Sequence, residues 1–259
     1  MISRPVLLAN LRPRQTADAF VIQLSSDCWR LTVPGGPAGV YCWAQLDDYM
    51  ELPRKRFNWR PPVHLSLDAR ISNADMQGTW GFGFWNDPFS ASLGISGMTR
   101  RLPTLPDCAW FFYASEPNYL SFRDDLIAQG FLAATFSSSS SGKFFLPLGL
   151  LFTPFLFWKR TARLLRSVLK RFIQQDVQLL HVDPTAVHQY ELIWQSMQVI
   201  FRVDGKVMKQ TTVAPHAPLG FVLWVDNQYA AFQPDGMLKF GTLSNLSPIS
   251  LEIRNFTIR

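Results

Sequence analysis

Apolar and polar positions change period twice along the chain. From Ala19 to Phe136 they alternate, or run in short apolar blocks closed by turn residues. Both patterns belong to strands, because successive side chains of an extended backbone point to opposite faces. Alternation is cleanest at Val63–Ile71, where Val63, Leu65, Leu67, Ala69 and Ile71 oppose His64, Ser66, Asp68 and Arg70, predicting a half-buried strand. Ala19–Leu24, Trp29–Val33, Val40–Leu46, Ala109–Ser115, Tyr119–Phe122 and Phe131–Phe136 read as further strands. Breaks fall at Ser25-Ser26-Asp27, Pro34-Gly35-Gly36-Pro37 and Pro61-Pro62. From His188 the short runs return at Tyr190–Gln195, Gln198–Val203, Lys206–Val213, Phe221–Asp226 and Leu251–Ile258, with Asp204-Gly205 as a hairpin turn. Strands this short and this regularly punctuated predict an all-β sandwich or jelly roll.

Between the two sets the pattern differs. Ser137–Ser141 reads as a flexible connection, and Phe144–Trp158 is nearly all apolar. That run is shorter than the roughly 20 residues a helix needs to span a bilayer, and Pro147 and Pro154 oppose a straight span. Lys159–Gln175 then predicts a helix: Leu164, Leu165, Val168, Leu169, Phe172 and Ile173 recur at helical spacing, beside six Lys and Arg and no acid. The chain's formal charge is +6, so outside this helix it is neutral. A basic amphipathic helix beside an apolar segment suits a membrane surface, with Phe155, Trp158, Arg163, Arg166, Lys170 and Arg171 as the contacting residues. The alternative is a helical hairpin packed on the sandwich with its basic face in water. No base-stacking or helix-turn-helix motif accompanies the charge, so no nucleic-acid partner is expected.

One strand carries unusual chemistry. In Thr79–Asp87, Trp80, Phe82, Phe84 and Asn86 form one face, and Gly81, Gly83, Trp85 and Asp87 the other. Alternating glycines in a strand mark a close approach to the backbone. The second face therefore reads as the floor of a ligand cleft, or as a strand crossed by a neighbouring loop. Leu219–Asn227 has a matching face, with Trp224 and Asp226.

Composition adjusts this picture. Aromatic residues make up 14% of the chain, including nine Trp and 21 Phe, while only 17% is charged against the usual quarter. Part of the surface is expected to face something other than water. Cys28, Cys42 and Cys108 lack metal or redox spacing and read as reduced core thiols, with a Cys28–Cys42 bridge as the alternative. The run Pro5–Ala9 is too short for a secretory signal core. A cytoplasmic protein, peripherally bound to a membrane, is the expectation.

The C-terminal third adds a resemblance. His188-Gln189-Tyr190-Glu191-Leu192-Ile193-Trp194, followed by Val199-Ile200-Phe201-Arg202-Val203-Asp204-Gly205-Lys206, resembles the strand pair of concanavalin A-like lectins and glucanases. The resemblance covers residues 19–136 and 181–259 and implies a jelly-roll sandwich of two antiparallel sheets; residues 1–259 are expected to form that single domain, with 143–175 inserted as an apolar segment and amphipathic helix. In family 16 glycoside hydrolases of that superfamily, a Trp-rich strand precedes a catalytic Glu-x-Asp-x-x-Glu strand. That motif is absent here, so the chain is not expected to be an ordinary glucanase.

Candidate chemistry then rests on Asp87 and Asp226 as an acid/base pair, since carboxyls among indoles have raised pKa values. Turn capping is the plainer role for each. Gly81, Gly83, Trp85, Asn86, Trp224, Asn227, Tyr229, His64 and Asp68 are the expected ligand-binding residues. No cofactor or metal ligand set is expected beyond structural calcium at Asp47-Asp48 or Asp124-Asp125. The expected partner is an amphiphilic small molecule such as a glycolipid or polyprenoid, bound with or without redox-neutral acid/base chemistry. The alternative is a non-catalytic glycan- or lipid-binding module.

Overall fold

The computed structural model describes residues 11–16, 18–88, 104–139 and 158–259. Two seven-stranded sheets face each other. The front sheet runs β1-β4-β13-β6-β7-β8-β9 and the back sheet β12-β11-β10-β5-β16-β3-β2. The front strands are Arg12–Gln15 (β1), Trp43–Asp47 (β4), Thr79–Trp85 (β6), Cys108–Ala114 (β7), Gly130–Ser138 (β8), Ile173–Leu179 (β9) and Gly220–Asp226 (β13). The back strands are Phe20–Ser25 (β2), Cys28–Val33 (β3), Val63–Ile71 (β5), His188–Trp194 (β10), Val199–Val203 (β11), Lys206–Thr211 (β12) and Ile249–Ile258 (β16). A separate hairpin joins Gln228–Phe232 (β14) to Leu238–Thr242 (β15), and one helix, Lys159–Phe172 (α1), links β8 to β9.

The all-β expectation holds, and pleating explains it. On β5 the apolar residues point inward, while His64, Ser66, Asp68 and Arg70 face out. From the front sheet, Trp80, Phe82 and Phe84 meet this layer. The Phe82 ring lies 5.3 Å from Tyr190, and Phe84 5.8 Å from Trp194. That interleaving of two inner faces is the core of a sandwich. A second apolar cluster sits on the outer face of the front sheet, around Trp43, Trp85, Trp110, Phe112 and Trp224.

Three expectations need correction. The helix ends at Phe172, and Ile173–Leu179 pairs with β8 from Ser138↔Ile173 to Leu132↔Leu179. The connection from β8 to β9 is therefore shorter than 143–175 at its C-terminal end, and β9 belongs to the sheet. Tyr119–Phe122 is no strand; Tyr119 makes a single bridge to Ala231. The Cys28–Cys42 bridge is absent, and all three cysteines are free and buried. Phe155, with the rest of the apolar run 144–157 and the N-terminal run 5–9, lies outside the described residues.

Helix α1 turns one of its six basic side chains inward, against the expectation that all face outward. Arg166 is only 1% exposed. Its guanidinium donates to the Phe232 carbonyl (2.6 Å) and to Asp124 (2.8 Å), and lies 5.4 Å from the Tyr119 ring centroid. Lys170 also binds Asp124, and Arg163 donates to the Asp235 carbonyl. Arg166 and Lys170 thus fasten the helix to the protein. Arg160, Leu164, Val168 and Arg171 form the exposed face instead.

Candidate functional site

Over the outer face of the front sheet lies a cavity of about 470 Å³. Its floor is built by strand register. Gly81 of β6 pairs with Trp224 of β13 on one side, and Gly83 pairs with Trp110 of β7 on the other. A Cβ on Gly81 would stand 2.4 Å from the Phe111 carbonyl oxygen and 2.9 Å from the Trp224 ring. One on Gly83, where φ is +153°, would stand 2.3 Å from the Ala109 carbonyl oxygen and 2.6 Å from Trp110 Cα. The close approach that the glycines signal is made by the chain's own neighbouring strands and indoles. Neither glycine lines the cavity; Trp224 and Trp110 lie over that part of the strand.

The indoles interlock. Trp85 and Trp224 are parallel within 8° at 6.4 Å, Trp110 lies 5.5 Å from Trp224, and Phe112 stacks on Trp110 at 5.3 Å. Over this floor stand Ala162 and Leu165 of α1, Phe232, Leu238 and Phe240 of the hairpin, and Leu120, Phe122 and Ile127 of the preceding loop. The hairpin and helix are in tight contact: a Cβ on Gly236 would come within 2.4 Å of the Lys159 carbonyl oxygen.

Asp226 marks one end. Its Oδ1 accepts from the Thr79 hydroxyl (2.8 Å) and from the Thr79 and Gln228 amides (3.2 Å each). The Trp224 indole donates to the same Thr79 hydroxyl at 2.9 Å, and Tyr41 also hydrogen-bonds the carboxyl. Burial raises the Asp226 pKa to about 7 against these bonds, which favour the charged form. Asp87 sits beyond the opposite end of β6, with φ +50°, where its carbonyl and that of Asn86 accept from Arg54.

Both aspartates therefore line one cavity, but they are not a pair. Asp226 stands opposite Thr79, and Asp87 lies eight residues further along the same strand direction. The strand from Thr79 to Trp85 alone, at about 3.3 Å per residue, separates them by roughly 20 Å. Glycosidic carboxyls work at about 5–9.5 Å. The acid/base partnership expected from sequence is thus excluded by register.

The other expected site residues divide. Trp85 and Trp224 line the cavity. Asn86 braces a loop, donating to the Leu105 carbonyl and accepting from the Asp107 amide. Asn227 does the same at Cys42, Val40 and Leu243. Tyr229 packs over Gly241 in the hairpin. His64 and Asp68 are on the outer face of the back sheet, bound to Glu191 (2.9 Å) and Asn255 (2.6 Å), and do not line this cavity. Sequence reasoning missed Trp43, Trp110, Phe112 and Tyr41. Cys108, Trp110 and Phe112 do share one parity of β7, but Ala109, Phe111 and Tyr113 on the other are equally apolar, so no contrast marked the face.

The adjacent aspartates are already engaged. Asp47 accepts from Gln45 and from the Tyr49 and Met50 amides; Asp48 accepts from Trp59 Nε1 (2.6 Å) and the Phe221 amide (2.8 Å). Asp124 holds Arg166 and Lys170, and Asp125 holds Arg123. Among the described residues no three His, Cys, Asp or Glu side chains converge as a metal site.

No protein-family model matches the chain, and no curated protein sequence matches it. Several solved structures are similar. LamAcat from Zobellia galactanivorans aligns at TM-score 0.48 and 9% identity, covering 93% of this chain and 79% of that one. The Emp46p carbohydrate recognition domain aligns at 0.46 and 10%, covering 97% and 88%. A sialidase aligns at 0.45 and 11% over 97% of this chain, which spans only 17% of the sialidase.

The strand order itself is that of a jelly-roll sandwich of two antiparallel sheets, as the strand pattern of the sequence implies. The strand that follows β6, β7, turns Cys108, Trp110 and Phe112 to the cavity and brings no carboxylate there. Burial pushes the Cys108 thiol well up, which keeps it neutral.

Proposed function

We propose that this protein binds an amphiphilic small molecule taken from a membrane surface, holding its apolar body on the tryptophan floor. The observation that carries the reading is the cavity itself: about 470 Å³, walled almost wholly by aromatic and aliphatic side chains. Ligand pockets of a few hundred Å³ with a few placed polar groups are the usual form of small-molecule sites. Asp226 and Asp87 stand at the two ends of β6, while Gln45 and Gln175 between them are already hydrogen-bonded to Asp47 and to Ser121 and Phe122, so an apolar body with a polar terminus fits better than a molecule polar along its length. Binding without turnover is favoured by the separation of Asp87 from Asp226 and by the apolar face of β7.

Support for a membrane source comes from the rim. Ile127, Leu238 and Phe240 line the cavity, yet are 50%, 46% and 64% exposed. The outward face of α1 adds Leu164, 66% exposed, between Arg160 and Arg171. Clustered exposed apolar groups mark interaction surfaces, and flanking cations add roughly 1 kcal/mol each near an anionic leaflet. No helix among the described residues is long and apolar enough to cross a bilayer. Peripheral contact is therefore the form proposed.

A glycan ligand is the second reading, favoured by the parallel Trp85 and Trp224 rings in the cavity wall, since sugar faces stack on indoles. Flotation with phosphatidylglycerol-containing vesicles tests the first. Wild type floats, and the triple variant Arg160→Glu, Leu164→Asp, Arg171→Glu stays behind while keeping its melting temperature. Equal flotation of the two removes the membrane source from the proposal.

A further inference from the structure

We propose that the Asp226 end of the cavity is a receptor for a cationic head group, an amine or quaternary ammonium carried by the bound amphiphile. This deepens the reading above and rests on it. Three aromatic side chains surround the carboxylate. Trp43 of β4 is its direct cross-strand partner, Trp224 precedes it by two residues on the same strand face, and Tyr41 hydrogen-bonds to it. All three line the cavity together with Asp226. Trp224 turns its N–H edge to the Thr79 hydroxyl beside the carboxylate and Tyr41 its hydroxyl to the carboxylate itself, and a carboxylate among aromatic side chains is a setting that attracts quaternary ammonium groups.

Charge at this end is one-sided. Among the described residues lining the cavity, the basic side chain is Lys239, which is exposed and makes no ion pair with Asp226. The bonds that Asp226 does accept come from neutral donors: the Thr79 hydroxyl and amide, the Gln228 amide and Tyr41. A carboxylate that is 7% exposed and holds no cation is costly to keep charged. A ligand bringing a positive head supplies the missing counter-charge. A neutral or anionic head does not. At the far end, Asp87 is set in a turn held by Arg54, so the two ends are chemically unlike and give the ligand a direction.

The test uses the 259-residue chain and three single-chain probes of equal length, dodecyltrimethylammonium and dodecyl sulfate below their micelle concentrations and dodecanol below its solubility limit. Intrinsic tryptophan fluorescence reads binding, because the floor is indole. Wild type should prefer the trimethylammonium probe to dodecanol by about tenfold, the range expected for a desolvated cation among aromatic rings. Asp226→Asn should bring the two within about threefold, at an unchanged circular dichroism spectrum that shows the variant to be folded. Trp43→Leu should reduce the preference with Asp226 intact. Equal or weaker binding of the cation by wild type overturns the head-group assignment and leaves the cavity reading standing. A preference that survives in Asp226→Asn overturns it as well. If none of the three probes binds wild type, the cavity reading fails and the assignment fails with it.

Discussion

At the scale of single residues, Asp226 ties the site to pH. Its folded-state pKa of about 7 lies above the ordinary 3.8 because burial disfavours the charge. The folded protein therefore holds this proton more tightly than the unfolded chain. The sign follows: the group's contribution to stability is greatest below about pH 4, falls as pH rises toward 7, and is flat above. A shift of three units corresponds to about 4 kcal/mol over that window. Asp48, raised to about 6 by burial, adds a slope of the same sign ending lower. Burial pushes the Tyr41 phenol beside Asp226 well above its ordinary range, so it stays protonated throughout this window. Urea denaturation at pH 4, 5.5 and 7 should show stability falling with pH in wild type, and less steeply in Asp226→Asn. An unchanged slope in the variant contradicts the burial argument.

This residue was legible in the sequence only as a carboxylate beside an indole. Its partner Trp43 was not, since Val40–Leu46 reads as a strand apolar on both faces. The glycines were legible as places of close approach, but the approaching groups sit on strands far apart in sequence. Only the register of β6 against β7 and β13 shows that they are the chain's own.

At the scale of elements, the sequence was most informative where only one face is apolar. Val63–Ile71 is read to the residue for that reason, because its outer face is wet. The failure at β9 has an equally local cause. Phe172 and Ile173 continue the helical stripe of α1, while Ile173, Gln175, Val177 and Leu179 also alternate. Pairing with β8 decides between them. Arg166 failed for the opposite reason: helical spacing places a cation without revealing that Asp124 and a backbone carbonyl wait beneath it.

The docking of α1 over the cavity should depend on that arginine. Arg166→Leu removes a charged hydrogen bond to the Phe232 carbonyl and the pairing with half-exposed Asp124. Such bonds contribute about 1.5–3 kcal/mol each. Hydrogen exchange should show α1 and the β14–β15 hairpin losing protection while β5, β10 and β16 keep theirs. Uniform loss across both sheets would mean that Arg166 supports the whole sandwich rather than the cover.

At the scale of the molecule, the sandwich puts two kinds of surface back to back. The back sheet turns its charged outer face to water. The front sheet turns indoles outward, under a cover of helix and hairpin that carries its own exposed apolar groups. The low charge fraction and high aromatic content of the chain are accounted for by this second, outer cluster. An ordinary two-sheet core would need only the inner one.

The central claim is that the cavity is occupied by an amphiphile. Incubating the protein with vesicles, re-isolating it and weighing the extracted lipid by mass spectrometry tests it most directly. The comparison variant is Ala134→Phe, which fills the cavity from β8 directly across from Trp110. Wild type should retain about one lipid per chain, and Ala134→Phe almost none at an unchanged circular dichroism spectrum. Equal retention by both proteins, or none by wild type, contradicts the account.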